Sequence, residues 1–450
     1  MIGLNKIGLN QVLLNRLRLN APFPAYGKMA GGGGSGDGFP QLPGDVTRWH
    51  FGGLTNEMMA AMDDPRIEDA DHKGRFLSFK NFAWKEGSGI SDIYPGALVF
   101  DGVDDRGVCE NFPILTKEKG YTVVVLRQWD QDFLNTTLTG GLLSTRNYST
   151  GEGVAFEKIE SSNKGYWNLG AGGIIDFAKS PFTWQTSKQY NNVGILKGDK
   201  NHGKPLCVGC GLSGGQQCGR FAIWELVFLD HDATEEELNK IKDYFVKTYP
   251  WLFPDQAWTV VGKTNEDEDR ATIANITGNG NDLVCLNLGF IEGSGYNEEG
   301  EYAGYLVTDG VDDKITSSTF EMGNDWTVIG DWELINTGKN DNAGIVKFDS
   351  IVIYNYNPIL INIKNGRNNL IPDQNTVNAI CSDGRIYSKD WKESIYNEET
   401  ESTSKNLLTI GYSGNSYTKI AFKNLAIYPT VLSKEDCIKA YNYLQTLKAK

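Results

Sequence analysis

The run Asp101-Gly102-Val103-Asp104-Asp105 returns as Asp309-Gly310-Val311-Asp312-Asp313. Three carboxylates in five residues could gather the oxygen ligands that Ca²⁺ takes. The same residues also build a turn, in which Asp caps its own backbone and Gly supplies a positive φ. The turn is the simpler reading, and Asp101, Asp104, Asp105, Asp309, Asp312 and Asp313 stand as weak Ca²⁺ candidates; no other cofactor is expected. His202, Cys207, Cys210 and Cys218 offer zinc-ligand types with a Cys-x2-Cys step. Yet Leu206 to Gly209 aligns with Leu408 to Gly411, which has no Cys, so the strand there does not depend on a metal. Seven Cys at scattered, non-repeating positions make a poor disulfide framework and read as reduced.

Catalytic patterns are thin. A retaining glycosidase needs two carboxylates about 5–5.5 Å apart, as on one face of a strand. The nearest match, Glu266-Asp267-Glu268-Asp269, sits in a polar, loop-like stretch. Gly211-Leu212-Ser213-Gly214-Gly215 has the spacing of a nucleophile elbow, but a Gly- and Gln-rich stretch follows where that motif needs a helix. The chain reads as not an enzyme. Sugar binding would use aromatic faces beside amides and acids, and Tyr148, Trp167, Tyr190, Tyr296, Trp391, Tyr412 and Tyr417 are available. Tyr412 and Tyr417, with Asn415 between them, look most like an exposed loop; Tyr148 and Trp167 complete the ligand-binding candidates.

These residues are set on a duplicated frame. Trp49 to Glu57 matches Trp258 to Glu266, Glu86-Gly87-Ser88-Gly89 matches Glu292-Gly293-Ser294-Gly295, and Leu226-Val227-Phe228-Leu229 matches Leu425-Ala426-Ile427-Tyr428. Collinear matches with a drifting offset indicate two tandem units, residues 47–253 and 254–450. Each is a string of short strand signals. Tyr121 to Leu126 and Phe221 to Phe228 are continuous apolar runs, as in strands buried on both faces. Ile351 to Tyr354 and Ile359 to Ile363 flank Asn357-Pro358 as a hairpin would. Each unit closes with a helix: Thr234-Glu235-Glu236-Glu237 is a capping box, and Ser433-Lys434-Glu435-Asp436 a looser one. The aromatic junction from Tyr249 to Pro254 is short, so the units should touch.

Residues 1–30 differ from the rest. Leu4, Leu9, Leu14 and Leu19 recur every five residues, each followed by Asn, and Lys6, Arg16, Arg18 and Lys28 precede the first acid, Asp37. Asn and Arg interrupt the apolar run a signal peptide requires. The segment reads as an arm that orders against a partner, with Leu4, Leu9, Leu14, Leu19, Arg16 and Arg18 as anchors and the Gly-rich stretch 31–46 as a tether. The net charge of −14 argues against nucleic acid as a ligand, and no apolar run is long enough for a membrane span.

Phe100 to Asp105, the following Thr-Val-Val and the run from Leu226 to Leu238 resemble laminin-G-like, concanavalin-A-like domains. The second copy departs at Thr308, where the family often has Phe. The resemblance covers about residues 47 to 450. It implies a mainly β chain of two tandem jelly-roll β-sandwiches, each closed by a helix, often binding carbohydrate or protein. Asp255 to Glu266 is similar to domains in virion proteins of crAss-like and other Bacteroidetes phages. That similarity implies a head- or tail-fibre or decoration protein of the virion. It would be docked on capsid or tail proteins through the arm, as a homo-oligomer, and display lectin-like units toward host or mucus glycans. The alternatives are a secreted or surface bacterial glycan-binding module and, less favoured, a polysaccharide depolymerase.

Overall fold

The computed structural model describes residues 38–115, 119–134, 136–145, 155–158, 165–168, 174–176, 193–197, 205–212, 216–335, 343–348, 351–355, 359–363, 367–371, 377–395, 406–412 and 416–449. The arm, including Leu4, Leu9, Leu14, Leu19, Arg16 and Arg18, lies outside the described residues, as do Tyr148, Tyr190, His202, Ser213 and Asn415.

Among the described residues strands dominate and form four sheets, of six, ten, eight and eight strands. Among the described residues each strand pairs only within its own half of the chain. In the first half the strand Arg220–Leu229 is central, flanked by Thr122–Trp129, Ala97–Asp101 and Val46–His50. In the second half Ile420–Tyr428 takes that place, flanked by Thr327–Leu334, Tyr305–Val307 and Gln256–Thr259. The opposing sheets also run in the same order in both halves. The apolar runs explain the central strands: every residue of Thr122–Trp129 is buried, as is all of Arg220–Leu229 except Arg220. The hairpin expected around Asn357-Pro358 forms, with Ile351 opposite Ile363 and Tyr354 opposite Leu360.

Burial is arranged in three layers. Leu77, Phe79, Leu98, Phe100, Val123 and Leu226 belong to one core, which lies between the two sheets of the first half. Trp258, Ile315, Val328, Leu408 and Leu425 belong to its counterpart in the second half. Each half is therefore a two-layer β-sandwich. The third core joins the halves: Trp224, Val227 and Ala222 from one sheet meet Tyr428, Ala426 and Ile329 from the other through Ile241, Phe245, Tyr443 and Leu444.

Both closing helices lie in this third layer. Glu235–Thr248 opens with the expected capping box, in which Thr234 Oγ1 accepts from Glu237 N while Glu237 accepts from Thr234 N. Lys434–Leu444 opens with Ser433 Oγ accepting from Asp436 N at 3.1 Å. The junction Pro250–Leu252 is a 3₁₀ turn buried at Trp251 and Leu252, and Tyr428 Oη donates to Trp251 O. The halves do touch, as the aromatic junction implied. Among the described residues no helix is long and apolar enough to cross a membrane.

Among the described residues, a buried ionic group lies in this layer in the first half and not in the second. Arg48 Nη1 reaches Glu225 Oε2 at 3.3 Å and Tyr244 Oη at 3.2 Å. Glu225 Oε1 accepts from Tyr244 Oη at 2.8 Å and Tyr249 Oη at 2.9 Å, with His50 Nδ1 3.1 Å away. The Phe39 ring lies 4.3 Å from the guanidinium. The corresponding positions of the second half are Ala257 and Asn424, which flank Trp258 and Leu425 as Arg48 and Glu225 flank Trp49 and Leu226. Removing one partner of a buried pair strands the other charge. Arg48→Ala should therefore cost about 3 kcal/mol in urea unfolding, and Arg48→Ala combined with Glu225→Asn, which copies the second half, should recover part of that loss.

Candidate functional site

Each Asp-Gly-Val-Asp-Asp run leaves an inner strand and turns back at the rim of its sandwich. Gly102 and Gly310 both have a φ of +78°, as the turn requires. Asp101 Oδ1 accepts from the amides of Val103, Asp104 and Asp105. Asp309 Oδ1 does the same for Val311, Asp312 and Asp313. The three acids of each run offer oxygens within 4.8 Å of one another, close enough for a cation, and their bonding is that of a turn.

The last acid of each run is buried and ties neighbouring loops together. Asp105 accepts from Ser88 Oγ at 3.0 Å and from Asp101 N at 3.0 Å. Asp313 Oδ2 accepts from Ser294 Oγ at 2.8 Å and from Asp309 N at 2.8 Å. Each serine also accepts a backbone amide, from Ala83 or Gly289. Asn81 and Asn287 donate to the carbonyls of Asp104 and Asp312. Asn56 brackets the backbone of Ile90, and Asn265 that of Tyr296, each through one donated and one accepted bond. The repeated Glu-Gly-Ser-Gly phrase thus supplies the serine that meets the aspartate. Burial raises the Asp105 carboxyl to about 7, and the neighbouring Asp101 and Asp104 add to the shift. Asp313 is raised for the same reasons, burial first.

A hairpin end packs against each acid loop. Gly209 has a φ of +98°, and a Cβ there would stand 2.6 Å from Asp105 O and 2.4 Å from the Phe100 ring. Gly411, at +80°, occupies the corresponding place beside Asp313 O and Thr308. The departure at Thr308 has a structural cause. Its hydroxyl donates to Thr418 O at 2.7 Å and accepts from Ile420 N at 3.0 Å, whereas Phe100 stacks on Phe221 at 4.7 Å.

The two hairpins are closed differently. Cys210 lies opposite Cys218, and the two form a disulfide across 3.9 Å between their Cα atoms. This corrects the expectation of seven reduced cysteines, and it removes the zinc reading, because Cys210 is already bonded to Cys218. An odd count conceals a single pair. In the second half Tyr412 lies opposite Tyr417, with ring centroids 4.7 Å apart and planes inclined at 35°. Both tyrosines are half-buried, and Lys314 Nζ stands 5.3 Å from the Tyr412 ring centroid. Lys314 directly follows Asp313, so the acid loop supplies a cation to the aromatic pair. No sequence signal pointed to Lys314.

Other candidates are placed elsewhere. Trp167 lies on the strand Gly165–Asn168, opposite Phe156 and Ile175 in the neighbouring strands, away from the Tyr412–Tyr417 hairpin in sheet order. Tyr296 is buried, with its hydroxyl donating to Arg270 O, so it is a core residue. Trp391 packs edge-on against Tyr441 in the layer between the halves. Glu266 to Asp269 is a solvent-facing turn, closed by Asp267 accepting from Thr264 N. The described residues on both sides of Ser213 are strands, Cys210–Leu212 and Gln216–Cys218.

Asp105 generates a pH test. A carboxyl whose folded pKa lies above its ordinary value binds its proton more tightly in the folded state, so stability falls as pH rises between about 4 and about 7. Urea midpoints taken from pH 5 to pH 8 should fall, with most of the change below about pH 7, and Asp105→Asn should flatten that slope.

No family model matches the chain, and no curated protein does. Among solved structures, a Trypanosoma rangeli sialidase in complex with the inhibitor DANA is 9% identical over 84% of this chain and 68% of that one, with a TM-score of 0.32. The same enzyme in complex with 2,3-difluoro-KDN is 8% identical over 66% of this chain, with a TM-score of 0.30. The chain spans 61% of the length of that sialidase. The botulinum neurotoxin serotype D binding domain is 10% identical over 80% of this chain and 94% of that one, with a TM-score of 0.31. These neighbours lend no support to the resemblance to phage virion proteins. The reading of the chain as not an enzyme is also corrected, because sialidases are among its structural neighbours. Likeness at these scores assigns no activity either.

Proposed function

We propose that this chain is a glycan-binding protein whose contact surface includes the Tyr412–Tyr417 hairpin. The observation that carries this reading is the pair of half-buried tyrosine rings 4.7 Å apart at a sandwich rim. Aromatic faces take up the C–H faces of sugar rings, while nearby polar groups fix orientation. Lys314 above Tyr412 supplies such a group. Thr308 fastens the strand that follows the tyrosines through Thr418 O and Ile420 N, which lowers the entropy lost on binding.

The finer reading is a virion component, fastened to capsid or tail proteins by residues 1–30 and tethered by residues 31–46. Its support is sequence alone: the five-residue Leu-Asn period, the basic charge of the arm and the Gly-rich stretch. A second reading, a secreted or surface bacterial glycan-binding module, is favoured by the Cys210–Cys218 disulfide, since such bonds form and persist in oxidising compartments.

Binding of the full chain to immobilised mucin and capsular polysaccharides tests the glycan reading. Tyr412→Ala or Tyr417→Ala should weaken binding about tenfold or more; binding unchanged in both variants overturns the site, and release of reducing ends would add hydrolysis. Deleting residues 1–38 should leave a protein that binds glycan as before and no longer enters particles. Truncated protein found in particles rejects the anchor, and full-length protein outside uninfected cells selects the exported module.

A further inference from the structure

We propose that Cys381 and Cys437 are a disulfide-forming pair that clamps the C-terminal helix Lys434–Leu444 to the sheet beneath it. Cys381 ends the strand Val377–Cys381 and lies opposite Thr327. Cys437 lies in the first turn of the helix, its amide bonded to Ser433 O. Thr327 brings the two together. Its hydroxyl donates to Thr430 O at 2.9 Å, accepts from Leu432 N at 2.9 Å and stands 3.8 Å from Cys381 Sγ. The residues leading into the helix are thereby fastened over Cys381, and Arg385 Nη2 adds a bond to Leu432 O at 3.0 Å. The two cysteine side chains are fully buried in one cluster and lie near enough to perturb one another's ionisation. Each thiol perturbs the other's ionisation, so the exchange can begin at either sulfur.

The pair is not required by the frame. By the strand register and the helix caps, the first half has Lys197 and Leu238 at these positions. Cys109, Cys207 and Cys285 are buried as well.

The chemistry is thiol–disulfide exchange with a small-molecule disulfide such as oxidised glutathione. When the exchange begins at Cys381, its thiolate attacks one sulfur, the S–S bond of the reagent breaks, and a mixed disulfide forms with release of one reagent thiolate. The Cys437 thiolate then attacks the Cys381 sulfur and displaces the second reagent thiolate. The two protons of the cysteines pass to the released thiolates, and the reagent takes the two electrons. Both thiols are buried, so the exchange takes place as the chain folds or when the first helical turn opens. The clamp matters beyond the helix, because the helix and the residues after it touch the first half. Tyr443 Oη donates to Gln128 Oε1, the Tyr443 ring packs against Trp224, and Lys448 pairs with Asp132.

The test is to refold the full chain with reduced and oxidised glutathione, at the ratio that just closes Cys210–Cys218. Free thiols are then alkylated in denaturant, and the protein is digested without reductant for mass mapping. The expected result is a peptide linked through Cys381 and Cys437 and 2 Da lighter than its thiol form. Amide exchange across residues 434–447 should slow about tenfold or more in the oxidised protein, and not in Cys437→Ser. Alkylation of both Cys381 and Cys437 in protein whose Cys210–Cys218 bond is closed overturns the proposal. The mapping uses the natural chain, so it decides the matter even if Cys437→Ser fails to fold.

Discussion

A carboxylate buried at the rim of each sandwich is the constraint on which the site depends. Asp105 and Asp313 are fully buried, each taking a serine hydroxyl from one loop and a backbone amide from its own turn. Their main-chain carbonyls lie against the glycines that end the two hairpins. Three loops far apart in sequence therefore converge on one residue. Burying such a group is costly unless its bonds are made, and this explains why serine, asparagine and glycine recur around it in both halves. The raised pKa of Asp105 is the electrostatic mark of that burial.

The frame being common to both halves, the proposed ligand contact falls where they differ. One hairpin is closed by a covalent bond and the other by two tyrosine rings. A disulfide fixes a hairpin and offers little to a ligand. A ring pair fixes it less strictly and presents faces that a sugar can cover. Phe100 and Thr308 follow the same division: one fills core space, and the other spends its hydroxyl on locking the backbone beneath the tyrosines. The layer between the halves follows it too, with an ionic cluster around Glu225 where the second half has Asn424.

Much of the frame was legible because its causes are local. The run Phe221 to Phe228 and the Thr234 capping box read directly as a buried strand and a helix start. The duplicated phrases pointed to the shared frame, and Glu-Gly-Ser-Gly contained the serine that meets the buried aspartate. Tyr412 and Tyr417 could be named as loop aromatics, but a separation of five residues does not by itself fix the cross-strand register that sets their rings together. Cys210 and Cys218 are also close in sequence, but the odd cysteine count hid their pairing. Lys314 over Tyr412 and Thr308 under the hairpin join segments about a hundred residues apart, so their roles emerge only from the packed sheets. The anchoring residues of the arm and Asn415 lie outside the described residues.

The central claim is that the Tyr412–Tyr417 pair, held by the Asp313 frame, is a surface for sugar. Tyrosine-ring-labelled NMR of the full chain, titrated with mucin-derived oligosaccharides, addresses it directly. The account predicts that the ring resonances of Tyr412 and Tyr417 shift together and saturably, while those of buried Tyr296 and Tyr428 stay in place. Saturable shifts confined to other tyrosines, or no shift at any of them, would contradict it.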